Sequence, residues 1–205
     1  MATELLPLFP LSVVLVPAMP LPLHIFEDRY KEMIADLIGG QSEFGVVLAK
    51  EEGIANIGCT ATVEEVTRRY DDGRLDLIAM GQRRFRITSL DQEKTYLRAA
   101  VQYFNDEDAS EVPADLRQKA SSAYRLLATL EDLPAEPKPE RSRISFQLAQ
   151  LIEDLDKRQM VLALRSEIER LEYLVSIVPD YIERRERLAL AKRVAPLNGH
   201  PKVNP

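Results

Sequence analysis

Between Leu5 and Phe26 the chain carries no Asp, Glu, Lys or Arg, yet Pro7, Pro10, Pro17, Pro20 and Pro22 punctuate it. A charge-free stretch of that length can in principle cross a bilayer. The prolines argue against it, because each withholds a backbone donor and opposes the helix that hydrocarbon demands. A secretory leader opens with positive charge, whereas the first charged residue here is Glu4. The segment is expected to be extended chain running through a protein core, with no membrane association.

The next stretches keep the extended character. Apolar runs bounded by turn residues occur at Leu11–Val16, Phe44–Leu48, Thr60–Val66, Leu75–Met80, Phe85–Leu90 and Tyr96–Phe104. Leu75, Leu77 and Ala79 alternate with Arg74, Asp76 and Ile78, and Leu97, Ala99, Val101 and Tyr103 repeat the period of a half-buried strand. Asp71-Asp72-Gly73 suits a tight hairpin, since its glycine accepts a positive φ. Cys59, Ala61 and Val63 share one face while Val66 has the other parity, so a bulge is expected near Glu64-Glu65. One helix, Asp28 to Ile38, interrupts these strands and ends before Gly39-Gly40.

From Pro113 the period becomes helical. Leu116, Ala120, Ala123, Leu126, Leu127 and Leu130 form one stripe, and Ile144, Leu148, Leu151 and Ile152 mark a second helix after the connector Pro134–Pro139. Ser166-Glu167-Ile168-Glu169 has capping-box spacing and opens a last helix with the seam Ile168, Leu171, Leu174, Val175, Val178 and Ile182. Pro179 falls within it, so a kink or a meeting of two helices is expected there. The seam can serve the core or a second copy of the chain, a homodimer. Strands first and helices afterwards make the fold α+β, against a doubly wound nucleotide-binding sheet. The expected division is a β-rich lobe over 1–108, a helical lobe over 109–196 and a flexible tail over 197–205.

The chemistry-bearing residues are sparse. Neither a G-x-x-x-x-G-K-[ST] nor a G-x-G-x-x-G pattern occurs, so no phosphate cradle is expected. Cys59, His24 and His200 are the full set of Cys and His, too few for a zinc site. His24 reads as a hydrogen-bonded residue at the edge of a core, in preference to a ligand or base, and Cys59 as a small core residue. The single cysteine fits a reducing cytoplasm. Glu64-Glu65 would point to opposite faces of a strand, unsuited to acid–base work unless the bulge turned them. Arg83, Arg84 and Arg86 around Phe85 fit either a nucleic-acid surface or an edge strand guarded by charge. The formal net charge of −6 favours the second, so nucleic acid is not an expected partner. No catalytic residue, metal site or cofactor is expected.

Leu6-Pro7-Leu8-Phe9-Pro10 through Pro20-Leu21-Pro22-Leu23-His24-Ile25-Phe26-Glu27-Asp28-Arg29-Tyr30 resembles the opening of the Lon protease N-terminal domain. Phe44-Gly45-Val46-Val47, Ile57-Gly58-Cys59-Thr60-Ala61, Asp72-Gly73-Arg74-Leu75-Asp76-Leu77 and Gly81-Gln82-Arg83-Arg84-Phe85-Arg86-Ile87 are similar to its later strands, in the same order. The resemblance implies a PUA-like twisted β pseudo-barrel with one helix, followed by a C-terminal α-helical bundle. It also implies a stand-alone LON substrate-binding domain that recognises unfolded polypeptides or a dedicated protein partner in protein quality control, without the family's ATPase and peptidase. Cereblon proteins use the same domain as an adaptor. A small-ligand or RNA-binding use of the PUA-like barrel is the alternative. The expected polypeptide-binding residues are Met19, Leu21, His24, Phe26, Glu27, Arg29 and Tyr30, between the lobes and beside a sheet edge able to take an extra strand. Glu27, Arg29 and Tyr30 also fit a brace joining helix and sheet.

Overall fold

A computed structural model describes residues 5–38, 43–107, 110–131, 133–134, 136–138 and 142–194. The charge-free opening supplies two strands, β1 (Leu6–Leu11) and β2 (Pro20–Ile25), followed by helix α1 (Asp28–Ile38). Then come β3 (Phe44–Lys50), β4 (Gly53–Arg69), β5 (Leu75–Asp91) and β6 (Arg98–Tyr103). Four helices complete the described chain: α2 (Ala114–Leu130), α3 (Ile144–Gln150), α4 (Leu155–Ala163) and α5 (Glu167–Val194). The mixed α+β composition agrees with the reading from periodicity.

The six strands run β2-β5-β4-β3-β1-β6, and β6 returns to pair with β5, so five of them close on themselves. β1 pairs parallel with β3, and the remaining pairings are antiparallel. Closure removes most of the free strand edges that invite association. Inside, Phe85, Leu6, Leu8, Val47 and Ala99 form a buried cluster. A Cβ at Gly45 or at Gly58 would lie 2.6 Å from the Phe85 Cζ, so these glycines make room for the ring.

Long strands β4 and β5 hold most of the sheet, and their register shifts three times, once between Val63 and Glu65 where the parity change implied a bulge. The Asp71-Asp72-Gly73 turn closes as expected, with Gly73 at φ 83° and the Tyr70 amide donating to the Arg74 carbonyl at 3.0 Å. Leu75–Met80 and Phe85–Leu90, read as separate runs, belong to the one strand β5. Leu75–Met80 lie between β2 and β4, Phe85 and Arg86 between β4 and β6, and the end of the strand to Asp91 pairs with β6. Arg83, Arg84 and Arg86 therefore sit on an interior strand, which overturns their reading as a guarded edge. Their charge could not report this, because Arg84 is neutralised by residues distant in sequence.

The first strand is Leu6–Leu11, not Leu11–Val16. Val14, Leu15 and Val16 are buried at 1% exposure or less, so the apolar run does mark core, but it packs as irregular chain ending in a turn at Ala18, φ 59°. Hydrophobicity locates burial and does not by itself locate a hydrogen-bonded ladder.

In the helical part, Leu127 and Ala128 are buried while Leu126 and Leu130 are exposed, so the α2 stripe is narrower than its sequence suggests. Helix α4 was not apparent from periodicity. Its start is fixed by Asp154, whose carboxylate accepts the Lys157 amide at 3.1 Å. Leu151 and Ile152 lie in the buried link that precedes it. Ser166 accepts the Glu169 amide at 3.4 Å at the head of α5, and α5 continues through Pro179 as one helix. Leu171, Leu174, Val178 and Ile182 are buried, so the seam serves the chain's own core. One apolar cluster joins Phe9, Val14, Phe44 and Leu77 to Leu127, Phe146, Val161 and Leu174, across strands and helices alike. The helix stop at Gly39-Gly40, the lobe boundary at 108/109 and the tail 197–205 lie outside the described residues.

Candidate functional site

Among the described residues, two of the polar clusters are built on β5, one beside a cleft and one at an exposed hairpin end. At the first, β5 passes from β2 to β6 across Gly81–Arg84. The Gly81 carbonyl accepts the Ala18 amide at 2.8 Å, and its amide donates to the Met19 carbonyl at 3.0 Å. A Cβ on Gly81 would meet the Val16 carbonyl oxygen at 2.3 Å, so the turn over Pro17-Ala18 is pressed directly on the strand. Ala18 occupies the left-handed region that ordinary side chains avoid, a local strain held in place by these bonds.

Beside that contact a cleft of about 510 Å³ opens between the sheet and α3, walled by Ala18, Arg83, Arg84, Phe104, Asp106, Arg143 and neighbouring residues. At its back, Asp106 meets Arg84 at 2.5 Å, Arg170 at 2.7 Å and Arg143 at 3.0 Å. Arg84 also donates to the Leu162 and Leu164 carbonyls, and Arg170 to Glu167 and the Ser145 hydroxyl. Ser145 in turn donates to Glu167 through its amide and hydroxyl. Burial works to raise the Asp106 carboxyl, but hydrogen bonds from Arg170 and the three guanidinium charges hold it below the ordinary carboxylate range. Among the described residues no buried side-chain nitrogen or oxygen lacks a partner. Ser145 is fully buried and bonded on both sides, so its hydroxyl is a link in this network and not an exposed nucleophile.

The second place is the exposed end of β2 and the β4–β5 hairpin. His24 Nδ1 lies 2.5 Å from Asp76, which also accepts the Tyr70 hydroxyl at 2.7 Å. These two bonds, His24 first, hold the Asp76 carboxyl below its usual range. The His24 ring stacks with Phe26, which is 58% exposed, and meets Tyr70 edge-on. Arg68 and Arg74 each lie over the Tyr70 ring, at 4.6 and 4.8 Å.

The residues singled out from sequence divide between roles. His24, Phe26 and Arg29 are exposed, and Arg29 pairs with Glu27 at 2.7 Å. Leu21 is buried, Met19 packs against the main core, and Tyr30 stacks on Phe9 with centroids 4.1 Å apart. Tyr30 thus braces α1 to β1, and burial raises its hydroxyl pKa. None of the seven lines the cleft, although Met19 follows the turn that does. Among the described residues strand β2 pairs only with β5, leaving one edge without a partner strand. Pro20 and Pro22 alternate with Leu21 and Leu23 along it and cannot donate, so strand addition along this edge is blocked at those positions. Asp106, Arg143 and Arg170 escaped sequence reading, and Arg84 was read as part of a guarded edge. One signal existed: Arg170 lies four residues before Leu174 on the apolar seam, where a charge demands a buried partner.

Cys59 is buried, and desolvation pushes its thiol up to about 12, so it is inert. Among the described residues no group of three or more His, Cys, Asp or Glu side chains is placed to hold a metal ion. No described helix is long and apolar enough to cross a membrane.

The family model of the ATP-dependent protease La (LON) substrate-binding domain matches residues 5–188. A Lon protease of Cytophaga hutchinsonii is 24% identical over 89% of this chain and 25% of its own length, and Lon protease 2 of Myxococcus xanthus is 31% identical over 53% and 14%. The chain therefore spans about a quarter or less of these relatives. A crystal structure of a Lon N-terminal domain protein from Xanthomonas campestris superposes with a TM-score of 0.69 at 28% identity, covering 84% of this chain and 98% of that one. The N-terminal domain of a Mycobacterium avium complex Lon protease has the same fold, with a TM-score of 0.61 at 17% identity over 86% and 99%.

Proposed function

This chain belongs to the Lon substrate-binding domain family, and from that premise we propose that it is a polypeptide-recognition or adaptor module with no catalytic machinery of its own. The observation that carries the reading is the open cleft where β5 changes partners, an inter-lobe groove large enough for an extended segment and walled by groups already bonded to one another. Such a wall binds without reacting, because reaction needs a nucleophile beside an available base. The closed sheet is taken as PUA-like, the helices from α2 onward as a bundle, and the lobes as 1–108 and 109–196. A cytoplasmic setting accords with one buried, unreactive cysteine.

Met19, Leu21, His24, Phe26, Glu27, Arg29 and Tyr30 form the second part of the proposed surface. His24, Phe26 and Arg29 would touch a polypeptide, while Leu21 and Tyr30 hold them from below. Recognition there is by side chains, given the prolines on the β2 edge. The partner is an unfolded polypeptide. The test is fluorescence anisotropy of a labelled, permanently unfolded chain titrated with this protein beside a folded control. Saturable binding of the unfolded chain alone, indifferent to ATP, is the expected result. Binding to neither replaces this reading with a dedicated folded partner.

A further inference from the structure

The molecule is acidic as a whole, with a formal net charge of −6, yet the cleft is not. Among the described residues at its back, three guanidiniums, Arg84, Arg143 and Arg170, meet two carboxylates, Asp106 and Glu167, which leaves one positive charge uncompensated. At the rim Arg83 is matched by Glu43 at 3.0 Å. Salt screens exposed charges beyond about 8–10 Å, so what a bound group senses is this local excess and not the distant acidic surface.

The three guanidiniums are not equivalent. Arg170 is fully buried, and Arg84, 5% exposed, is tied to two backbone carbonyls. Neither can turn without breaking the contact between strands and helices. Arg143 is 52% exposed, and its Nε lies 3.0 Å from an Asp106 that already has two closer cations. A planar guanidinium carries five N–H donors in a fork that fits a carboxylate by two parallel bonds. Arg143 is therefore the group that can serve Asp106 and a ligand together, at the mouth of a space of about 510 Å³.

We propose that this cleft takes a carboxylate of the bound polypeptide, an acidic side chain or the chain's C-terminus, on Arg143 with Arg83 beside it. The inference rests on the polypeptide-recognition reading and narrows it. One net charge suits one carboxylate, whereas a nucleic acid would require a track of cations.

The experiment uses four labelled unfolded polypeptides, made with Asp and Glu or with Asn and Gln, each with a free or an amidated C-terminus. Anisotropy is read with the wild type, Arg143→Gln and Arg83→Gln, each checked for fold by circular dichroism. The wild type is expected to prefer a carboxylate-bearing polypeptide by about tenfold, the worth of one charge-assisted contact. The arm that shows the preference identifies the source of the carboxylate. R143Q is expected to abolish the preference while retaining the neutral polypeptide. Equal wild-type binding of all four, or a preference that survives both variants, overturns the carboxylate site alone. Binding of none by the wild type refutes the recognition function itself.

Discussion

Asp76 and Arg84 lie on the same strand, and each anchors a polar cluster, but one faces water and the other is closed between sheet and helices. Asp76 and His24 are one-third to nearly one-half exposed, whereas Asp106 and Arg84 are about 5% exposed. In water a paired charge gains little over a hydrated one. In the interior each charge has lost its solvent, and removing one partner strands the rest. Similar chemistry thus makes a joint in one place and a surface in the other.

Asp106→Asn strikes the joint most directly. It leaves Arg84 and Arg170 buried without their common carboxylate and is expected to cost about 3–5 kcal/mol in urea denaturation. A loss below about 1 kcal/mol would mean that the network is hydrated and the contrast false.

Acid should make the same cut reversibly. The folded-state pKa of Asp106 is lowered, so its stabilisation is fully present above the unfolded value, near 4, and is lost as pH falls through the folded value. Asp36, Asp72 and Asp76 are lowered as well and add to the acid loss. The diagnostic is therefore the gap between wild type and D106N, which is expected to narrow below pH about 4. A gap independent of pH down to full acid unfolding would remove Asp106 ionisation from the account.

Gly81→Ala tests the close approach of turn and strand beside the cleft. Its Cβ would press on backbone at 2.3 Å, with an expected cost of about 2–3 kcal/mol by thermal or urea unfolding. The neighbouring Ala18→Gly should have the opposite sign. It relieves a positive φ but loosens the unfolded chain, for a net gain of about 0.5–1 kcal/mol. If A18G destabilises instead, the positive φ at Ala18 holds no strain that glycine can relieve.

At the exposed cluster, His24→Ala is expected to change stability by no more than about 0.5 kcal/mol. On the proposed reading its effect belongs in polypeptide binding. A large stability loss with unchanged binding would make this patch a second joint and erase the distinction.

Strands β4, β5 and β6 were legible from alternation and β2 only as extended chain, while the hairpin was legible from Gly73 and the bulge near Glu65 from a change of parity. Arg84 was misread because a charge on a strand looks the same whether it guards an edge or fills an interior. The apolar run at Val14–Val16 announced burial without revealing that it is not a strand.

What the sequence determined by itself is whatever neighbours in the chain decide: which stretches extend or coil, where they turn, and which family order they follow. The meeting of residues 84, 106, 143 and 170 belongs to the tertiary structure alone. No local period links positions so far apart, and a buried carboxylate becomes favourable only when the folded core delivers its cations to it.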